Sequence, residues 1–194
     1  MPFKKEACLP RCSKGTCEGD YNEKTAKKDA ALLLLDKRTV NVTGRTTPIE
    51  ICDLLKIDQA GQENKKCRLI HVKRKLNSSS LSHLFAQGSV SADLLWRSRD
   101  YRDKVLEKIE EEEGKKTSPT KASGSTDYEG DFSEPFKDVT NPPKTEVVYA
   151  IIADWKNRSL ADALPFFSKV NLRRHINYLH LIGFNVSIAP INVT

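Results

Sequence analysis

The sequence predicts an α/β fold in which a mixed sheet of about five strands is flanked by helices. Segments with helical periodicity alternate along the chain with short apolar or β-branched runs. Their order is helix, three strands, two helices, strand, helix and strand, with no internal repeat. With 194 residues, 38% of them hydrophobic and 30% charged, the composition excludes collagen-like, coiled-coil and fully disordered chains. The length is enough for one domain with its own core.

The first part of the chain predicts a helix and then three strands. Residues 1–19 show no periodicity and are predicted to be a tail, whereas Asp20 can cap a helix over YNEKTAKKDAA. Three apolar runs then predict strands: LLLLDKRTV, TPIEICDLL and CRLIHVKRK. Because the four-leucine run is apolar on both faces, we expect it to be a central strand.

The rest of the chain predicts helices, an insertion and two more strands. SSSLSHLFAQG predicts a helix that stops at Gly88, and SADLLWRSRDYRDKVLEKIEEEE predicts a second one. Residues 114–144 are rich in Pro, Gly, Ser and Thr and predict a disordered insertion that divides the core into 20–113 and 145–194. Beyond it follow a strand, a helix capped by Ser168 and a closing strand: EVVYAIIAD, KVNLRRHINYLHLIG and FNVSIAPI.

Charge and hydropathy limit the classes of partner. The 32 basic and 26 acidic residues give a net charge of +6, which is compatible with a polyanionic partner. Apolar runs such as residues 30–35 are far shorter than the roughly 18 residues that a membrane span needs. The start of the chain lacks the apolar stretch of a secretory signal, so we expect a cytoplasmic protein without a membrane partner. Cys8, Cys12 and Cys17 lack a fourth zinc ligand nearby and are interpreted as reduced thiols of the tail.

One set of residues indicates metal-dependent chemistry. Glu23 falls on the first predicted helix, Glu50 and Asp53 on the second strand, and Lys73 on the third. Carboxylates from adjacent elements can converge on a divalent cation. A lysine beside such an ion can stabilise the charge that develops during phosphodiester cleavage. The alternative is that Glu50 faces solvent and that residues 73–75 form a solvated basic edge.

A second set indicates contacts with phosphates. Residues 62–75 hold six basic residues and one acid, and arginines elsewhere add guanidinium groups suited to phosphate. Ser78 lies at the start of a predicted helix, where backbone amides can bind an anion. The candidates for nucleic-acid binding are Arg74, Lys75, Ser78, Arg97 and Arg173. Arg97 has the alternative of pairing with Asp100 or Asp103 on its own predicted helix. The chain has neither a G-x-x-x-x-G-K-[ST] nor a G-x-S-x-G motif, which excludes a P-loop and a serine elbow.

Several long blocks of the sequence are distinctive: YNEKTA, LLLLDKRTV, TPIEICDLL, RLIHVKRK, SSSLSHLFAQGSVSADLL and LPFFSKVNLRRHINYLHLIGFNV. They resemble a family of sporadically distributed, uncharacterised bacterial proteins, catalogued as a domain of unknown function. The resemblance spans residues 20–191 and is least close over 114–144. Members of that family are usually much longer, so it implies that this chain corresponds to their C-terminal portion.

A weaker resemblance concerns the order of the first elements. A helix with an acid, a strand, a strand with an acid, a strand with a lysine and then a helix is similar to the PD-(D/E)XK nuclease core, the core of restriction endonucleases. The resemblance implies that Glu23 is the helix acid, Asp53 (or Glu50) the strand acid and Lys73 the lysine. Gln87 then corresponds to a polar residue that many such nucleases carry on the following helix.

The sequence departs from that pattern at His71, which stands where those nucleases place an acid two residues before the lysine. Imidazole is a softer ligand than carboxylate, so a histidine at this position favours Mn²⁺ over Mg²⁺ as the cofactor. The resemblance therefore implies a nucleic-acid-binding domain that hydrolyses phosphodiester bonds with Mg²⁺ or Mn²⁺. The alternative is a non-catalytic nucleic-acid- or protein-binding module with a degenerate site. Either function is compatible with a homo-oligomer.

Overall fold

The computed structural model describes residues 9–44, 46–58, 66–117, 131–137, 145–156 and 158–194. Its elements follow one another as α1 (Glu18–Lys28), β1 (Leu32–Leu34), β2 (Thr39–Val40), β3 (Ile49–Glu50), β4 (Leu54–Asp58), β5 (Lys66–Arg74), α2 (Ser78–Arg97), α3 (Arg99–Thr117), α4 (Glu134–Lys137), β6 (Thr145–Ala153), α5 (Leu160–Ala163), α6 (Phe166–Leu181) and β7 (Asn185–Asn192).

Five strands form one mixed sheet in the order β1-β4-β5-β6-β7, which confirms the predicted α/β class. β1, β4 and β5 are antiparallel neighbours, whereas β5, β6 and β7 are parallel. Each parallel pair needs a crossover, and α2, α3 and α6 lie in those connections. β2 and β3 form a separate antiparallel pair.

Helices cover both faces of this sheet because its central strands are apolar on both sides. Every second residue of β6, such as Val147 and Ile151, packs with Leu172 of α6 and with α2. The alternate residues of β6 pack on the opposite face, in the cluster that contains Tyr21 of α1. A third cluster, on the α2 side, joins Leu69 and its neighbours to α3.

The four-leucine run does not form a central strand as predicted, because β1 lies at the edge of the sheet. Leu33 is nevertheless buried with Val105 and Ile109 of α3, and Leu32 is buried with Tyr21 of α1. An edge strand therefore needs apolar residues on both faces when helices cover both.

The prediction that Gly88 ends a helix is wrong. α2 begins after a capping box formed by Asn77 and Ser80 and continues through Gly88 to Arg97. A Cβ atom on Gly88 would lie 2.7 Å from Cε1 of Tyr149, so glycine here permits close contact between helix and sheet. The second predicted helix is therefore divided at Ser98 between α2, which ends at Arg97, and α3, which begins at Arg99. α6 begins at Phe166, after Pro165, and Ser168 is a buried residue in its first turn rather than its cap.

Parts of the predicted tail and insertion are packed against the core. Cys12 is buried and forms a parallel bridge with Val193, so residues 12–14 lie along the end of the chain. Phe132 and Phe136 are buried near α3, which differs from the disorder predicted for that segment. The two phenylalanines bury apolar area that stabilises the segment, although the residues around them are mostly polar. Residues 1–8, 118–130 and 138–144 lie outside the described residues.

Within the described ranges, no helix is both long enough and apolar enough to cross a membrane.

Candidate functional site

Three carboxylates meet where β1 and β4 begin to separate. Asp36 lies two residues after β1, Glu50 ends β3, and Asp53 immediately precedes β4. One oxygen from each lies within 4.8 Å of the others. The pairing of Leu34 with Leu54 brings the turn after β1 next to Asp53. The antiparallel pairing of β2 with β3 brings Glu50 back beside Asp36 and Asp53. We call Asp36, Glu50 and Asp53 the carboxylate cluster.

Two neighbours orient Glu50. The backbone N–H of Lys37 donates to Oε1 of Glu50 at 2.9 Å, and the side-chain amide of Gln87 donates to Oε2. Lys37 has a φ of 62°, in the left-handed region that costs free energy for a residue other than glycine. The structure thus brings together three of the residues named from the sequence (Glu50, Asp53 and Gln87) and adds Asp36.

Asp53 is the buried member of the cluster, with 7% of its surface exposed. Its Oδ2 accepts the backbone N–H of Val72 at 2.7 Å, and its Oδ1 accepts Nδ2 of Asn22 at 3.3 Å. Burial, together with the neighbouring Glu50 and Asp36 carboxylates, holds the pKa of Asp53 well above its usual range, although the Val72 bond acts the other way. The cluster therefore favours a bound proton, or another cation, over a full set of negative charges.

Asn22 of α1 reaches the cluster through Asp53. It is fully buried, and its Oδ1 has no hydrogen-bond partner among the described residues. A half-turn of the amide about its Cβ–Cγ bond exchanges Nδ2 and Oδ1, so a neutral oxygen ligand can be presented beside Asp53. Glu23 lies about 100° further around the helix. It is exposed, forms an ion pair with Lys27 at 2.6 Å, and is not part of the cluster.

Lys73 lies beside the start of α1. Its ammonium forms an ion pair with Oε2 of Glu18 at 2.8 Å, and Oε1 of Glu18 accepts the backbone N–H of Arg74 at 2.9 Å. Gly19, which follows Glu18 in α1, borders the cluster, because a Cβ atom there would lie 3.2 Å from Oδ2 of Asp36. Glu18 thus holds Lys73 at the N-terminal end of α1, one residue before Gly19.

His71 points into the core rather than toward the cluster. It is fully buried, and Cδ2 of its ring lies 3.1 Å from the position that a Cβ of Gly88 would take. Neither ring nitrogen has a partner among the described residues. Burial lowers its pKa to about 3, so the ring is neutral at physiological pH. The structure therefore gives His71 a place in the interior and not among the cluster's ligand atoms.

Comparison with known proteins assigns the chain to a family. A family model described as "Family of unknown function (DUF6119)" matches residues 2–192. The chain belongs to this family. The match includes the cysteine-bearing start and the segment 114–144, where the sequence resemblance was absent or least close. No curated protein and no solved structure shows significant similarity to the chain.

In this DUF6119 member, two of the basic residues predicted to bind nucleic acid make internal contacts. The Arg74 guanidinium donates to the carbonyl of Thr16 at 2.6 Å. The Lys75 ammonium donates to the carbonyl of Ala163 at 2.7 Å. Both side chains are half-buried, and they tie β5 to the start of the chain and to α5.

The remaining predicted phosphate contacts are distributed over two helices. Arg97 pairs with Asp93 at 2.8 Å, so the local ion pair occurs, but with an acid one turn before it. Ser78 is the first residue of α2 and is half-buried. Arg173 is exposed on α6 and has no partner in the part of the chain that the structure describes.

Sequence reasoning missed Asp36 and Asn22 in this DUF6119 chain. Asp36 follows the four-leucine run directly, and an acid at the end of a buried strand was a signal that could have identified it. The sequence contains no comparable signal for Asn22. A helix turns 100° per residue, so only one of Asn22 and Glu23 can face the cluster, and Glu23 is the more obvious ligand of the two.

Proposed function

We propose that this chain is a nuclease-like cytoplasmic domain that binds nucleic acid and hydrolyses phosphodiester bonds with Mg²⁺ or Mn²⁺. The observation that carries the proposal is the carboxylate cluster of Asp36, Glu50 and Asp53, whose oxygens lie within 4.8 Å of one another. The order of α1, β1, β4, β5 and α2 also agrees with the element order of the nuclease core that the sequence resembles.

The donor set fits a hard divalent cation. Carboxylate oxygens are the protein ligands that Mg²⁺ and Mn²⁺ prefer, and three of them converge here. A half-turn of the Asn22 amide, whose carbonyl oxygen has no partner among the described residues, would bring a neutral fourth donor beside Asp53. Burial of Asp53, and after it the neighbouring Glu50 and Asp36 carboxylates, raises the pKa of Asp53, and a bound cation would relieve the same unfavourable negative charge. A bound ion would supply Lewis-acid polarisation of the phosphate and a water of lowered pKa.

Lys73 supports the catalytic part of the proposal. Glu18 fixes its ammonium at the start of α1, whose Gly19 borders Asp36. A positive charge held in advance at such a place stabilises charge that develops on a phosphate without reorganisation during the reaction. Gln87 and the Lys37 N–H hold Glu50, and the Val72 N–H holds Asp53, so both acids are oriented before substrate arrives.

The surface charge supports a polyanionic partner. The chain carries a net charge of +6, and Arg173 and Arg174 are exposed on α6 without ion pairs in the described ranges. Guanidinium groups of this kind contact phosphates without regard to base sequence. We therefore expect binding that weakens steeply with salt.

A cleavage assay tests the proposal. Labelled single- and double-stranded DNA and RNA are incubated with the protein in Mg²⁺, Mn²⁺ or EDTA. We expect cleavage in metal alone, reduced on the order of 10²–10³-fold by Lys73→Ala with most affinity for nucleic acid retained. Asp53→Asn should have a similar effect, whereas Glu23→Gln is the matched control and should cleave normally.

The same assay identifies the competing function. Absence of metal-dependent cleavage by the unaltered protein, with nucleic-acid binding unchanged in the Lys73 and Asp53 variants, contradicts the proposal. That result would favour a non-catalytic binding module with the same fold.

A further inference from the structure

A cavity of about 480 Å³ lies between α2 and α6. This volume is within the range of roughly 300–1,000 Å³ that small-molecule sites occupy. α2 contributes an apolar wall of Ala86, Val90 and Leu94, and α6 contributes a polar wall that includes Arg174, His175 and Tyr178.

This cavity is separate from the carboxylate cluster. None of Asp36, Glu50 and Asp53 lines it. Gln87, which contacts Glu50, is directed about 100° away from Ala86 around the same helix. α2 therefore lies between two sites, and the cavity needs an explanation of its own.

The charge of the cavity is positive. Its acid, Asp93, accepts a hydrogen bond from the hydroxyl of Tyr178 and pairs with Nε of Arg97 at 2.8 Å, so its charge is balanced. Arg174 has no ion pair or hydrogen bond among the described residues. One guanidinium is thus available to an anion at the edge of an apolar wall.

His175 is held in a defined orientation at the same place. Its Nδ1 forms a hydrogen bond of 2.8 Å with Oγ of the buried Ser89. Its Nε2 has no partner in the part of the chain that the structure describes. A ring fixed through one nitrogen presents the other nitrogen to a ligand at little entropic cost.

We propose that this cavity binds a small organic oxyanion, a carboxylate or phosphate attached to an apolar body. The oxyanion is bound by Arg174 and His175, and the apolar body lies against Ala86, Val90 and Leu94. Neither part suffices alone, because a single exposed guanidinium binds weakly in water and the apolar wall is small. The site does not depend on the nuclease proposal and is tested without metal or nucleic acid.

Isothermal titration with phenyl phosphate and benzoate tests this site, with benzyl alcohol and inorganic phosphate as single-feature probes. We expect saturable binding of both aryl oxyanions and at least about tenfold weaker binding of the single-feature probes. Arg174→Gln should weaken the aryl oxyanions about tenfold. The matched control is Arg173→Gln, the exposed neighbouring arginine that does not line the cavity, and it should change affinity less than about twofold. Val90→Trp should fill the cavity and abolish binding.

Three results would overturn the inference. One is the absence of saturable binding of either aryl oxyanion to the folded protein. Another is an equal effect of the Arg173 and Arg174 substitutions, which indicates diffuse surface charge. The third is binding of inorganic phosphate or benzyl alcohol as tight as that of phenyl phosphate. Melting curves of each variant establish that the proteins compared are folded.

Discussion

Nδ2 of Asn22 donates a hydrogen bond of 3.3 Å to Oδ1 of Asp53, while the carbonyl oxygen of the same buried amide has no partner among the described residues. An unpaired buried acceptor costs about 1–3 kcal/mol, so its presence next to an acidic cluster needs a reason. A cation bound by Asp36, Glu50 and Asp53 supplies one, because the amide can then turn its oxygen toward the ion.

Asn22→Asp is expected to increase the effect of metal on stability. Without metal, the added carboxylate lies beside Asp53 and should destabilise the fold by at least about 1–3 kcal/mol. With Mn²⁺, the same carboxylate becomes a ligand, so the rise in melting temperature should exceed that of the unaltered protein. Thermal melts in EDTA and in Mn²⁺ measure both effects. Glu23→Gln is the control and should match the unaltered protein, whereas an equal Mn²⁺ shift in Asn22→Asp would contradict the expectation.

The raised pKa of Asp53 predicts a pH dependence of the metal-free protein. The folded state holds the proton more tightly than the unfolded state, whose aspartates titrate near 3.8. The stability contributed by this group is therefore complete below that value and is lost as pH rises through the folded pKa. Asp53→Asn removes the titration, so the variant should become more stable relative to the unaltered protein as pH rises from 4 to 8. Urea unfolding at several pH values in EDTA measures the difference, and a difference independent of pH would contradict this.

His71 predicts the opposite dependence. Burial lowers its pKa from 6.5 to about 3, so stability from this group is present above 6.5 and is lost as pH falls toward 3. Between pH 7 and 5 the loss should be about 2 kcal/mol, and His71→Leu should abolish it. His83→Gln, on the exposed side of α2, is the control and should leave the profile unchanged. Urea unfolding of the three proteins measures the slopes, and equal slopes in His71→Leu and the unaltered protein would show that the ring is not buried neutral.

Gly88 predicts a difference between two glycine-to-alanine substitutions. A Cβ at Gly88 would lie 2.7 Å from Tyr149 and 3.2 Å from Val147, so Gly88→Ala should destabilise by about 1–3 kcal/mol despite the better helix propensity. A Cβ at Gly114 of α3 meets nothing within 4 Å, so Gly114→Ala should stabilise by up to about 1 kcal/mol. Chemical denaturation measures both, and a neutral or stabilising Gly88→Ala would mean that α2 does not approach the sheet this closely.

Periodicity predicted the fold class because the signals that decide it are local. The β-branched run in β6 and the alternation in β7 determine strands wherever they lie in the sheet. The position of β1 in the sheet was not predictable in the same way. Leu32 and Leu33 are buried at an edge that α1 and α3 cover, and a central strand would show the same apolar residues in its sequence. Gly88 was misinterpreted because its role depends on Tyr149, which lies 61 positions away in the sequence.

Only the part of the candidate site that depends on nearness in the sequence could be predicted. Glu50 and Asp53 are three residues apart, so the sequence alone places them near each other. Gln87, named from the sequence as a polar residue of the helix after β5, donates to Glu50 in the structure. Asp36 joins them only through the pairing of β1 with β4 and the return of β2 and β3, which is tertiary information. Whether Asn22 or Glu23 faces the cluster depends on how α1 is rotated about its own axis. The sequence of a short polar helix does not show which of its faces is buried.

Binding of Mn²⁺ followed by electron paramagnetic resonance tests the central claim most directly, namely that the cluster of Asp36, Glu50 and Asp53 holds a divalent cation. Free Mn²⁺ gives a sharp signal that is lost on binding, so a titration of the metal-free protein counts sites. We predict one saturable site per chain, lost in Asp53→Asn and in Asp36→Asn and retained in Glu23→Gln, with Mg²⁺ competing for it. Absence of a saturable site in the folded protein, or a site that persists in both cluster variants and disappears in Glu23→Gln, would contradict the account.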